Sequence, residues 1–246
     1  EKPKIGLIVT IAAGTTNAVL DYLFGAVFNF GLAGAAVATG IGQVVGGLIP
    51  LIYFILPNDS LLKLVKTKLS IKELLAACAN GSSELMSNVS SSIVGMVYNL
   101  QLMKYIGEDG VATYGVLMYV QFVFVAIFIG YSIGTAPIVG YNYGATNYDE
   151  LKNVRKKSIA IMFTTGITLS IIAQLLAGTL AKIFVGYDQN LYVLTVHAFR
   201  IFSFAFILTG FNIFSSSFFT ALNNGAISAL IAFLRTLVFQ LGSVLM

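Results

Sequence analysis

The chain has 246 residues, 57% of them hydrophobic and only 10% charged, with a net charge of +4. Soluble domains carry about 25% charged residues, and one aqueous core does not absorb this much apolar side chain. A water-soluble enzyme is therefore excluded, and lipid is the expected solvent.

A bilayer crossing needs about 20 mostly apolar residues. The apolar runs are continuous rather than alternating, which points to helices and away from a membrane barrel. The expected fold class is all-α, a polytopic membrane helix bundle. In chain order, the first two spans are predicted at 5–29 and 33–56, joined by a tight turn at Asn29-Phe30-Gly31. Pro57-Asn58-Asp59-Ser60 opens a polar linker over 57–70, the one connection of real length and the expected boundary between two lobes. Spans at 71–105 and 109–143 flank the charged turn Gly107-Glu108-Asp109-Gly110. Gly144-Ala145-Thr146-Asn147 ends the fourth span, and Asn147 or Asp149 is positioned to cap the fifth, at 150–184. Gly186-Tyr187-Asp188 and Asn223-Asn224-Gly225 separate the last two spans, 189–221 and 225–246. The chain opens Glu1-Lys2-Pro3-Lys4 and stops inside an apolar run at Met246, as expected of a piece of a longer membrane protein. Residues 5–13 lack a small-residue cleavage pattern, so no signal peptide is expected.

Lys and Arg near span ends predict orientation. Lys2, Lys4, Lys63, Lys66, Lys68, Lys72, Lys152, Arg155, Lys156 and Lys157 fall on one side, against Lys104 and Lys182 on the other. The linker 57–70 and the loop 145–157 are therefore expected to face the cytoplasm in a multi-pass cell-membrane protein. These positives sit in connections and form no patch on a soluble surface, so nucleic acid is not an expected partner. No GxxxxGK[ST] loop is present, so no nucleotide is expected. No nucleophile–base pair appears, one Cys excludes an internal disulfide, and one His makes a His-rich metal site unexpected. The chain reads as a non-enzyme without a resident cofactor.

An ionisable group at membrane depth is costly and needs a reason to be there. Asp21 lies about 17 residues beyond Lys4, roughly 25 Å along the helix. Counting outward from the hairpin turn, Asp21 is level with Thr39, and Asn17 with Gln43, each pair one turn from the other. The spacing predicts two polar pairs across one hairpin, Asp21 with Thr39 and Asn17 with Gln43. A carboxylate with amide and hydroxyl oxygens can bind Na⁺, or the carboxylate can carry a proton; the same cluster could also serve as polar glue between helices. Glu84 begins a polar face continued by Ser87, Asn88 and Ser91, either a cavity wall for cationic substrate or an acid bonded to nearby serines. His197 and Arg200 share a face of the sixth span, and Arg200 could pair with Glu84. Arg235 reads as structural, reaching toward the cytoplasmic side. The 19 Phe and 12 Tyr suit ring-face contacts to flat cations, although lipid contact and core packing account for most of them.

The run Asn17-Ala18-Val19-Leu20-Asp21-Tyr22-Leu23-Phe24, followed by Gly31-Leu32-Ala33-Gly34-Ala35-Ala36-Val37-Ala38-Thr39, resembles the fifth and sixth helices of the multidrug and toxic compound extrusion (MATE) family. Pro137-Ile138-Val139-Gly140-Tyr141-Asn142-Tyr143-Gly144-Ala145 resembles the end of that family's eighth helix. Phe219-Thr220-Ala221-Leu222-Asn223-Asn224-Gly225 with Arg235 resembles its tenth and eleventh. The resemblance implies a fold of twelve helices in two six-helix lobes. Residues 1–56 would be the last two helices of the N-lobe, 57–70 the inter-lobe linker and 71–246 five helices of the C-lobe. It implies export of small organic cations or drugs in exchange for H⁺ or Na⁺. It also implies a cation site of Asn17, Asp21 and Thr39, with a further acid on a first helix. Acids used by some members on the seventh and tenth helices are not matched: Glu84 stands about two turns from the former position, and His197 and Arg200 occupy the tenth.

The leading expectation is an ion-coupled secondary antiporter working by alternating access, with Asn17, Asp21, Thr39 and Gln43 as the ion site and Glu84, Asn88 and Arg200 along the substrate cavity. The alternatives are a lipid-linked-precursor flippase of the same superfamily and a non-transporting membrane subunit. Membrane lipid is an expected partner in each case.

Overall fold

The computed structural model describes residues 3–57 and 69–245. Among the described residues every regular element is a helix, as expected from the continuous apolar runs. The chain divides into two compact units, Glu1–Leu69 and Ser70–Met246. Of the expected linker, only Pro57, Leu69 and Ser70 are described, and Lys2, Lys63, Lys66 and Lys68 lie outside the described residues.

The first unit is a helical hairpin. α1 (Pro3–Tyr22) runs directly into a π turn, Leu23–Val27, and α2 (Gly31–Ile55) returns alongside. The reversal uses left-handed backbone at Asn29 (φ 52) and Gly31 (φ 58), which asparagine and glycine tolerate best. Gly34, Ala38 and Gly42 are the buried residues of α2, and Gly46 continues their four-residue spacing along one face. A Cβ added at Gly34 would lie 2.9 Å from Phe24 Cβ, and one at Gly42 the same distance from Asn17 Cβ. The helices thus meet backbone to backbone, as small residues allow where water provides no hydrophobic drive.

The second unit contains α3 (Ile71–Tyr105), α4 (Glu108–Gly144), α5 (Tyr148–Val185), α6 (Gln189–Phe202), α7 (Phe206–Ala221), α8 (Gly225–Phe233) and the short α9 (Leu241–Leu245). A 3₁₀ turn, Ser203–Ala205, joins α6 to α7, and a π turn, Leu234–Gln240, joins α8 to α9. Helix starts follow from side-chain caps: Asn147 Oδ1 accepts from Glu150 N–H, Asp188 Oδ1 from Asn190 and Leu191 N–H, and Asn224 Oδ1 from Ile227 N–H. Of the two expected caps for α5, Asn147 is the one used.

α7 packs against α4, α5 and α8. Around it Phe128, Met162, Phe199, Phe206 and Phe214 form the buried core. At Gly166 of α5 an added Cβ would sit 2.8 Å from the carbonyl oxygens of Phe206 and Ile207, so only glycine lets α7 lie this close.

Among the described residues six segments are long and apolar enough to cross a membrane: Lys4–Val27, Gly31–Ile55, Glu108–Gly144, Tyr148–Val185, Gln189–Ala221 and Gly225–Leu245. The sequence reading expected seven. The difference is α3, which is 35 residues long but carries Glu84, Ser87, Asn88, Ser90, Ser91 and Ser92 through its middle. That polar stretch lowers its hydropathy below that of its neighbours.

Candidate functional site

In the hairpin, Asn17 Nδ2 donates to Thr39 Oγ1 at 3.5 Å, and the Thr39 hydroxyl donates to the Ala35 carbonyl at 2.9 Å. Gly34 faces Phe24 and Gly42 faces Asn17, so Thr39 stands between the levels of Asn17 and Asp21. Three of the expected site residues therefore fall within one helical turn. The expected pairing differs in detail. The side-chain bond joins Asn17 to Thr39 rather than Asp21 to Thr39 or Asn17 to Gln43. Thr39 has one hydroxyl proton, and Ala35 takes it, so toward α1 its oxygen can only accept. An amide N–H can use that oxygen; a carboxylate cannot.

Asp21 is half-buried, and its Oδ1 is buried without a hydrogen-bond partner among the described residues. A buried polar atom without a partner calls for an explanation. Here a carboxylate oxygen keeps an unused lone pair. Such a pair presents negative potential to whatever positive species enters, and hard oxygen donors suit a hard cation or a proton rather than a soft metal. Gln43 is exposed and forms no side-chain hydrogen bond among the described residues.

The second unit holds a separate polar constellation on α3. Glu84 and Asn88 are exposed and Ser87 is half-buried. Arg235, in the π turn after α8, donates from Nη2 to Ser87 Oγ at 3.4 Å and from Nε to its neighbour Thr236 Oγ1 at 3.5 Å. Glu84 acts on the Arg235 guanidinium electrostatically. The sequence reading gave Arg235 a cytoplasmic reach and offered Arg200 as the partner of Glu84. The structure instead brings Arg235 to the Glu84 face of α3. Its long side chain, from the second position of the π turn, finds polar company on the neighbouring helix.

Arg200 and His197 are exposed on α6 and line a shallow open cavity of about 240 Å³ with Tyr192, Val193 and Val196. Arg200 forms no ion pair among the described residues; its carbonyl accepts from Gln174 Nε2 and Ser203 Oγ, both at 2.8 Å. Ser87 and Arg235 are the members of this polar group that residue spacing did not bring together. Their signal was available in part, because Ser87 lies three residues from Glu84 and Arg235 is the single charge in its span. Among the described residues no cluster of three or more His, Cys, Asp or Glu side chains is placed to hold a metal ion.

Comparison with known proteins places this geometry in context. The profile of the family described as MatE matches residues 85–243. The multidrug export protein MepA of Staphylococcus haemolyticus (strain JCSC1435) is 31% identical over 180 residues, covering 70% of this chain and 38% of that protein. MepA of Staphylococcus aureus (strain bovine RF122 / ET3-1) is 25% identical over 241 residues, 96% of this chain and 52% of that protein. A MOP-superfamily transporter from Pyrococcus furiosus, whose binding pocket is described as reversed in polarity, superposes with a TM-score of 0.89 at 25% identity. It covers 96% of this chain and 53% of that one. An outward-facing multidrug resistance MATE transporter superposes with a TM-score of 0.87 at 25% identity, with the same coverage. The chain thus spans about half the length of the relatives it matches. The profile match over most of the second unit, and the superposition over nearly the whole chain, lead to one conclusion: the chain belongs to the multidrug and toxic compound extrusion (MATE) family of multi-pass membrane transporters, not enzymes.

Proposed function

We propose that the protein of which this chain forms part exports small organic cations or drugs by exchanging them for H⁺ or Na⁺, with Asp21 as the ion-carrying group. The observation that carries this reading is the Asp21 Oδ1 atom, buried without a partner one turn from the Asn17–Thr39 bond. An unpaired carboxylate oxygen inside a membrane span is stabilised when a proton or a cation arrives. That gain differs between arrangements that enclose Asp21 and arrangements that open it to water, and such a difference is what shifts a two-state transporter. Asn17 and Thr39 would add oxygen donors for Na⁺. Asn88 and Glu84, exposed on α3, would face substrate, with the acid favouring cations; Arg200 would line the cavity from α6. The basic residues Lys152, Arg155, Lys156 and Lys157, which fall in the first turns of α5, favour a cytoplasmic position for that end.

The test is Asp21→Asn in the full-length protein, reconstituted in liposomes. Efflux of a lipophilic cation is then measured under an imposed H⁺ or Na⁺ gradient. Gradient-driven efflux is expected to fall to the leak rate while binding of the cation persists. Efflux that still follows the gradient in this variant would overturn the role of Asp21.

A further inference from the structure

Where the ends of α4 and α7 meet the start of α5, an open cleft of about 220 Å³ is lined by Tyr143, Tyr148, Leu151, Lys152, Arg155, Phe218 and Leu222. No part of the ion site or the α3 polar face contributes to it. Its chemistry has two halves. Leu151, Phe218 and Leu222 make an apolar wall. Lys152 and Arg155, three residues apart on one face of α5, bring two positive charges to the rim. Tyr143 and Tyr148 are exposed beside them, amphipathic rings of the kind enriched at the membrane–water boundary.

The local charge is not cancelled from within. Lys152 Nζ lies 3.3 Å from Asp149 Oδ1, but both side chains are well exposed, at 70% and 95%, and such a pair is weak. Glu150 is engaged by Asn153, whose Nδ2 donates to both of its carboxylate oxygens at 3.1 and 3.3 Å. The Arg155 side chain has no hydrogen bond or ion pair among the described residues. A free guanidinium fork beside a second cation matches a phosphate diester, which it can hold through two parallel N–H···O bonds.

We propose that this cleft is a binding site for an anionic phospholipid of the surrounding leaflet. The phosphate sits between Arg155 and Lys152, and the glycerol and upper acyl chain lie against Phe218 and Leu222. A phospholipid uses both halves of the cleft; free phosphate would leave the apolar wall bare. The position at the ends of three segments long and apolar enough to cross a membrane places the cleft toward the headgroups. Basic grooves between spans at that depth are suited to acidic lipid.

The test uses the full-length protein in nanodiscs of phosphatidylcholine containing a minor fraction of phosphatidylglycerol, with retained lipid identified by native mass spectrometry after detergent exchange. The wild-type protein is expected to retain phosphatidylglycerol well above its share. Arg155→Gln is expected to lower that preference roughly fivefold, and Lys152→Gln with Arg155→Gln more than about tenfold. Lys156→Gln with Lys157→Gln removes the same charge from α5 outside the cleft and is expected to leave the preference in place. Leu222→Asn, which wets the apolar wall and keeps every charge, is expected to lower it. Equal loss in the Lys156/Lys157 pair would mean diffuse attraction to a basic surface and would overturn the proposal. So would full competition by millimolar inorganic phosphate, or retention unchanged in both Leu222→Asn and the Lys152/Arg155 pair.

Discussion

Thr39 shows how one hydrogen atom arranges a site. Its hydroxyl proton belongs to the Ala35 carbonyl, so its oxygen takes the Asn17 amide and leaves Asp21 Oδ1 unpaired. Thr39→Val keeps the shape and removes the acceptor. It is expected to lower stability by about 0.5–1 kcal/mol, the usual scale of an interhelical hydrogen bond in lipid, read as a small drop in Tm in detergent. Gly42→Val acts through space: the new Cβ would meet Asn17 Cβ at 2.9 Å. It is expected to cost about 1–3 kcal/mol through overpacking, a clearly larger drop in the same melt. The residues of this site were legible in sequence because a lone carboxylate in an apolar run stands out and helical spacing brings Asn17 to its face. Which of them bond was not legible. That depends on where a single proton points, and the proton's choice of its own helix's carbonyl leaves no trace in residue spacing.

At the scale of elements, the breaks carried most of the information. Asn147, Asp188 and Asn224 cap the helices that follow them, and the span limits read from sequence fall within a few residues of the observed ones. Asp188 satisfies two N–H groups of α6, at 2.8 and 3.1 Å, whereas Asn224 holds one of α8 at 3.3 Å. Asp188→Ala is therefore expected to lose about 1–2 kcal/mol, and Asn224→Ala about half that, in parallel thermal melts. The π turns at Leu23–Val27 and Leu234–Gln240 could not be read from sequence. One extra residue per turn changes no composition, yet it redirects every side chain beyond it. Arg235, at the start of the second of these turns, meets Ser87 of α3. The polar middle of α3 fits a cavity wall or an acid bonded to nearby serines on a spanning helix; the same residues hold its hydropathy below that of the six apolar segments.

For the whole molecule, the all-helical class followed from composition together with the continuity of the apolar runs, because lipid admits only helices or closed barrels and a barrel needs alternation. Sidedness is open to direct measurement. In a background with Cys78 replaced by Ser, a cysteine introduced at the exposed Lys156 is expected to react with a membrane-impermeant maleimide from the cytoplasmic side, and one at the exposed Tyr187 from the opposite side. The reverse pattern would invert the assigned orientation. The hairpin of the first unit also bears on movement. Its teeth, Gly34, Ala38, Gly42 and Gly46, are evenly pitched but not interchangeable, because Gly34 and Gly42 leave no room for a Cβ. A slip of one rung, about 6 Å, would carry Ala38 to the place of Gly34, where a Cβ would meet Phe24 Cβ at 2.9 Å. The single methyl of Ala38 is then a pawl, fixing how far one helix stands along the other together with the Asn17–Thr39 bond.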